Sequence, residues 1–205
     1  MRWTWLVVAI AALVPVPGGT AENEGWIVLF NGRDLDGWKV GANPDSFKVE
    51  DGMIVAHGPV AHLFYDGPVK NHEFTDFHFK ADVMTAPGSN SGLYFHTKYQ
   101  EANWPRTGYE IQVNVSHGDP KKTGGLYGIR DVADPGVRDG QWYTQEIIVQ
   151  GKRIISKVNG KTLVDYTEPE GRTGGRKLGS GTFAIQAHDP KSKVCFKNVL
   201  VKPLD

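Results

Sequence analysis

After Ala21 the chain has no long segment with apolar residues at helical spacing. It breaks instead into short runs rich in Val, Ile, Phe and Tyr, separated by Gly, Asn, Asp and Pro. Short alternating runs of this kind read as β-strands, so the pattern is all-β. Strands are expected at residues 26–30, 47–50, 53–57, 62–65, 74–84, 92–97, 109–115, 143–150, 153–158, 162–166, 182–188 and 194–202. Twelve runs are more than one sheet readily holds, so two packed sheets, a β-sandwich, are expected. Turn chemistry supplies part of the order. Gln150-Gly151-Lys152 joins two apolar runs, and Asn159-Gly160 is a pair that accepts positive φ at both central turn positions. Residues 143–166 therefore form a local antiparallel meander. The stretches 97–107, 117–140 and 168–180 lack periodicity and are rich in glycine; they are long loops, where a β scaffold usually carries its binding work.

Alternation also assigns faces, because successive strand side chains point to opposite sides. In residues 109–115 the apolar set is Tyr109, Ile111, Val113 and Val115, which places Glu110, Gln112 and Asn114 in a row on the other face. In 92–97, inward Leu93 and Phe95 leave Tyr94 and His96 outward. In 182–188, inward Phe183 and Ile185 leave Gln186 and His188 outward. A plain wet face of an antiparallel sheet would favour Lys, Thr, Glu and Ser. Tyr, His, Gln and Asn instead combine flat apolar surface with directional donors and acceptors suited to sugar rings and hydroxyls. Trp104 and Tyr99 lie in the loop before this face, where an aromatic stacking platform would serve. If the three strands are neighbours, His96, Glu110, Gln112 and His188 converge on one cleft.

Composition narrows the class. Arg2, the apolar run 3–14 and the small, polar stretch 15–21 read as a signal peptide over residues 1–21, leaving residues 22–205 as one domain secreted to the periplasm or cell envelope of a bacterium. The run is shorter than a spanning helix needs, so no membrane insertion is expected after its removal. Lys and Arg total 23 against 23 Asp and Glu, a balance that argues against nucleic-acid binding. The single cysteine, Cys195, excludes an internal disulfide and reads as a small core residue. His57, His62, His72, His78 and His117 show no metal-ligand spacing, and Asp119, Asp134 and Asp189, each before proline, read as turn formers. No P-loop, GxSxG, HExxH or dinucleotide fingerprint occurs.

Six segments carry a resemblance: FNGRDLDGW (30–38), NSGLYFH (90–96), GYEIQV (108–113), GGLYG (124–128), VNGK (158–161) and the run AIQAHDPKSKVCFKNVLVKPL (184–204). In this order they resemble the 3-keto-disaccharide hydrolase domain. The resemblance implies a concanavalin A-like jelly-roll sandwich of the lectin and glucanase type, and a glycosidase acting on 3-keto-glycosides. It places Glu110 and Gln112 on the family's YE-x-Q strand and His188 at the end of its Q-x-H strand. Many relatives have Arg where His96 stands. An ordinary double displacement needs two carboxylates, and the strand Glu110-Ile111-Gln112-Val113-Asn114 offers one, so a loop residue such as Asp119 or Asp131 would have to supply the second. A 3-keto sugar changes the demand, because the ketone acidifies C2–H and one base suffices for elimination. Glu110 and His188 are the expected catalytic pair, with the acid and base roles open between them. Gln112, Asn114, His96, Tyr94, Gln186 and Trp104 are the expected sugar contacts. No cofactor is required by this reading, and a divalent ion such as calcium would be compatible with it. The competing classes are a non-catalytic carbohydrate-binding module and a ligand-free envelope protein.

Overall fold

The computed structural model describes residues 25–204, so the signal-peptide segment expected at residues 1–21 lies outside the described residues. Thirteen strands are formed: β1 (Ile27–Val28), β2 (Trp38–Val40), β3 (Phe47–Glu50), β4 (Met53–His57), β5 (Ala61–Tyr65), β6 (Phe77–Thr85), β7 (Asn90–Thr97), β8 (Tyr109–Asn114), β9 (Tyr143–Gln150), β10 (Arg153–Val158), β11 (Lys161–Thr167), β12 (Thr182–Ala187) and β13 (Lys193–Pro203). They build two antiparallel sheets. The larger runs β11-β10-β9-β6-β13-β4-β3 with β1 added against β13, and the smaller runs β2-β5-β12-β7-β8. The expected meander is present as β9-β10-β11, and its Asn159-Gly160 turn has φ of 48° and 76°, as a two-residue hairpin requires.

The core lies between the sheets. Phe77, Phe79, Val83, Ile147, Val149, Phe196 and Val201 of the larger sheet meet Leu63, Leu93, Phe95, Ile111, Phe183 and Ile185 of the smaller, all at most 2% exposed. Phe183 is an aromatic hub, with ring centroids 4.6 Å from Phe74, 4.8 Å from Phe77 and 4.7 Å from Phe79. Each such pair adds about 1 kcal/mol beyond the area it buries. Cys195 is buried in β13 as a small packing residue.

Strand β2 went unforeseen because three residues carry too little alternation to read. Its Trp38 is nevertheless an anchor, donating from Nε1 to the Leu29 carbonyl at 2.8 Å. The preceding turn is tied by Asn31, whose Oδ1 accepts the N–H groups of Arg33 and Asp34.

The two sheets differ in how they meet the surroundings. In β6 and β9 buried residues alternate with half-buried ones, as expected of a sheet with one wet face. In β5, β7, β8 and β12 every residue is buried. The outer face of the smaller sheet is therefore covered, by the loops 98–108, 115–142 and 168–181, although its side chains include Glu110, Gln112, Asn114, Gln186 and His62. A polar face hidden from both core and bulk solvent is not a solvation surface.

Candidate active site

Strand register aligns the polar side chains in rungs across this covered face. Tyr94 of β7 stands opposite Glu110 of β8, Gly92 opposite Gln112, and Asn90 opposite Asn114. On the other side of β7, Gln186 of β12 lies one step beyond the Ile185–Leu93 pair and is itself opposite His62 of β5. A cavity of about 290 Å³ opens over these rungs, lined by Asn90, Tyr94, Glu110, Gln112 and Gln186 from the strands and by His188 just past the end of β12. Its walls are loop residues: Trp104 and Pro105 on one side, Asp119 and Tyr127 on another, and Arg176 from the loop between β11 and β12.

Glu110 is 5% exposed. Burial is the main influence on its carboxyl and pushes it up to about 7, against the opposing pull of the Tyr94 hydroxyl, the Arg176 cation and the Gln186 amide. Near neutral pH it is thus divided between acid and base forms. Gln186 donates from Nε2 to the Tyr94 hydroxyl at 2.8 Å, and Gln112 donates from Nε2 to the Lys121 carbonyl at 3.3 Å. The side-chain oxygens of Asn90, Gln112 and Gln186 are buried with no hydrogen-bond partner among the described residues. Unmet acceptors cost about 1–3 kcal/mol each, and their concentration at one place marks a site where structure serves function.

His188 is oriented by its chain neighbour. Its Nδ1 lies 2.7 Å from Asp189 Oδ2. Burial raises the Asp189 carboxyl, but hydrogen bonds from His188, the Ser192 hydroxyl and the Lys191 N–H outweigh it and hold the group down at about 2. A carboxylate ionised at every ordinary pH keeps the proton on Nδ1, leaving the Nε2 lone pair as the free, basic end of the ring. Trp104 and His117 pack against this ring, each with centroids 5.5 Å away. Beneath Trp104 lies His62, 3% exposed and edge-on to both Tyr94 and Trp104. Burial foremost, then the nearby His188, lowers His62 to about 4, so it is neutral.

Of the residues expected from sequence, Glu110, His188, Gln112, Tyr94, Gln186 and Trp104 line the one cavity. Two do not. His96 is turned away: it has φ of 53°, its Nε2 contacts the Thr75 carbonyl at 2.8 Å, and its ring packs on Phe77 and Phe95. The cause is a bulge, since Thr182 pairs with Thr97 but Ala184 pairs with Tyr94, leaving one extra residue on β7. Asn114 points to the outer face but is consumed by structure, donating from Nδ2 to the carbonyls of Asp119 and Lys121. Residues the pattern did not mark are Arg176, Tyr127, Asn90 and Asp189. Asp189 is the turn former expected, since it accepts the N–H groups of Lys191 and Ser192, and it is the partner of His188 as well.

His117, His188 and Asp189 bring donor atoms within 4.8 Å of one another, a spacing that invites a metal. Two imidazoles and one carboxylate are not the six to eight oxygens that calcium takes. Several of the donor atoms are also engaged: His117 Nδ1 accepts the Asp119 N–H at 3.1 Å, and both Asp189 oxygens accept hydrogen bonds from His188, Lys191 and Ser192, which leaves the Nε2 atom of His188 as the free end of that ring. The residues fit a hydrogen-bonded His–Asp dyad and do not fit a calcium cage.

A family profile described as the 3-keto-alpha-glucoside-1,2-lyase-like domain matches residues 25–202. The chain belongs to this family. Among solved structures it is similar to a candidate glycosyl hydrolase from Parabacteroides distasonis, with 27% identity, a TM-score of 0.74, and coverage of 89% of this chain and 95% of that one. A second candidate glycosyl hydrolase from the same organism aligns at 22% identity and TM-score 0.66 over 87% of this chain and 99% of the other. The carbohydrate-binding module CBM66 of Bacillus subtilis shares the fold at 13% identity and TM-score 0.59, covering 81% and 95%. The Ca²⁺- and mannose-bound lumenal domain of VIP36 does so at 10% and 0.57, covering 89% and 91%. No curated protein matches the chain. The fold is a lectin-like jelly-roll sandwich, and the 3-keto-alpha-glucoside-1,2-lyase-like domain here is a glycosyl-hydrolase-like domain.

Proposed function

We propose that this protein cleaves the glycosidic bond of 3-keto-glycosides by elimination across C1 and C2, with His188 as base and Glu110 as acid. The observation that carries the reading is the Asp189–His188 dyad, which presents a fixed, basic Nε2 beside a cavity that also holds a protonatable Glu110. The family description supports the same chemistry.

In this reading Nε2 of His188 removes the proton from C2, made acidic by the C3 ketone. The C2–H electron pair becomes a C2–C3 enolate and then a C1–C2 double bond as the C1–O bond breaks. Glu110 delivers its proton to the departing oxygen, so the products are an alcohol and an unsaturated keto-sugar. Water addition to the latter completes a net hydrolysis. His188 ends as imidazolium supported by ionised Asp189, and Glu110 ends as carboxylate near Arg176; exchange of one proton resets both. The amides Gln112 and Gln186 and the aromatic faces of Tyr94 and Trp104 orient the sugar. The apolar run and small-residue stretch of residues 1–21 support export, so the substrate would be met in the periplasm or envelope.

The deciding experiment offers the purified protein a 3-keto-glucoside and its parent glucoside in deuterated water. Cleavage of the keto-sugar alone, with solvent deuterium at C2 of the product, is expected. Binding of either sugar without turnover would make the protein a lectin-like module instead.

A further inference from the structure

Elimination places negative charge on the C3 oxygen before the C1–O bond breaks, and a ketone can only accept hydrogen bonds. It therefore needs a donor that the protein has not already used. Tyr94 bonds to Glu110, Gln186 directs one amide N–H to Tyr94, Gln112 one to the Lys121 carbonyl and Asn90 one toward His117, while His188 gives its Nδ1–H to Asp189, so the donors these side chains keep are single, neutral amide N–H groups. Trp104 offers a neutral indole N–H and Tyr127 a neutral hydroxyl. Arg176 is the permanent cation of the lining, with five N–H donors in a planar fork.

The loop that carries Arg176 is built to hold it still. Glu168 at the loop's start accepts the Tyr109 hydroxyl at 2.5 Å and the Leu178 N–H at 2.8 Å, so the two ends are clasped together. Gly175, the residue before Arg176, lies against the Arg106 carbonyl so closely that a Cβ would stand 1.9 Å from it, and its own carbonyl accepts the Gly108 N–H at 3.0 Å. The guanidinium then spends one N–H on the Tyr127 carbonyl at 3.1 Å and stacks over the Tyr127 ring, 5.4 Å from its centroid. Its other terminal nitrogen stops 4.0 Å from Glu110 Oε2, beyond hydrogen-bond reach, and meets no acceptor among the described residues.

We infer that Arg176 receives the C3 ketone oxygen of the substrate and stabilises the enolate that forms there. The inference rests on the elimination reading above and deepens it: the sugar must enter with its ketone edge toward the β11–β12 loop. Arg176 keeps its proton throughout and neutralises charge without transferring anything.

The test compares Arg176→Gln and Arg176→Lys with Glu110→Gln on two 3-keto-glucosides, one with an alkyl and one with a nitrophenyl leaving group. Nitrophenolate leaves without protonation, so Glu110→Gln should recover most of its activity on that substrate. Arg176→Gln should lose about 100-fold or more in kcat on both, with KM moving less than tenfold, and C2–H exchange in deuterated water should fall in parallel. Arg176→Lys should recover part of the loss. Melting temperatures report whether each variant is folded, and a misfolded Gln variant leaves the Lys variant to decide. Unchanged kcat in Arg176→Gln, or rescue of that variant by the nitrophenyl group, would overturn the inference alone, the latter showing that Arg176 acts only through Glu110. Inertness of the wild-type protein toward both keto-sugars would remove elimination itself, and the inference with it.

Discussion

A Cβ placed on Gly92 would stand 2.5 Å from Oε1 of Glu110 and 3.1 Å from its carboxyl carbon. The carboxyl group of Glu110 occupies the space that any side chain at position 92 would fill. Gly92→Ala is therefore expected to push Glu110 off its contacts with Tyr94 and Gln186. Overpacking of this kind costs about 1–3 kcal/mol in stability. The activity loss should be larger, about 100-fold or more in kcat, because a displaced acid no longer meets the leaving oxygen. Steady-state kinetics beside a melting curve separate the two.

Asp189→Asn keeps an oxygen for the Lys191 and Ser192 N–H groups while removing the charge that fixes the His188 ring. The expected result is a folded protein whose kcat falls by about 100-fold or more with little change in KM. Nitrogen-15 chemical shifts of His188 would show the proton leaving Nδ1 as the dominant site.

Asp119 is the second carboxylate at the cavity, with its Oδ1 accepting the Lys121 N–H at 2.9 Å. Elimination does not require it, whereas a two-carboxylate displacement does. Asp119→Asn should leave kcat on a 3-keto-glucoside within about tenfold of wild type. A loss of several orders of magnitude would favour displacement.

Glu110 also predicts how stability responds to pH. Its native value of about 7 exceeds the ordinary value of 4.5, so between those limits the folded protein holds a proton that the unfolded chain has released. Stability falls as pH rises through this window, and the full cost, on the order of 3 kcal/mol, is present above pH 7. Glu110→Gln should consequently raise the melting temperature at pH 8 and leave it nearly unchanged at pH 4.5.

His62 acts in the opposite direction. Held at about 4 against an ordinary 6.5, it stays neutral in the fold while the unfolded chain takes up a proton, so stability drains away as pH falls from 6.5 toward 4. His62→Phe, which preserves the aromatic packing on Tyr94 and Trp104, should flatten that acid limb in pH-dependent melting curves.

Sequence pattern reached the sandwich and most of the cavity floor because both depend on period-two alternation. Glu110, Gln112 and Gln186 could be assigned to one face wherever the apolar residues between them fixed the phase. The logic failed at His96, where the bulge adds a residue and reverses the phase. A signal was present in Gly108 and Gly181, whose missing side chains let backbone approach Phe95, His96 and Thr97 closely. Arg176 carried no signal. It sits in a glycine-rich loop without periodicity, and long-range contacts such as the closure at Glu168 and the seating of Gly175 bring it to the cavity. Asp189 was half legible, since its role in the turn hid its role toward His188.

The strand that bears Glu110 is the border strand of its sheet, a position that ordinarily exposes a row of unpaired N–H and C=O groups. The segment 123–127, which carries most of the GGLYG sequence, runs along that border. Gln112 N–H donates to Gly125, Gly124 N–H to Gln112, Thr123 N–H to Asn114 and Tyr127 N–H to Glu110. The hem is sewn shut by the chain itself. A catalytic strand can thus stand at the rim, within reach of three loops, without serving as a template on which neighbouring molecules polymerise.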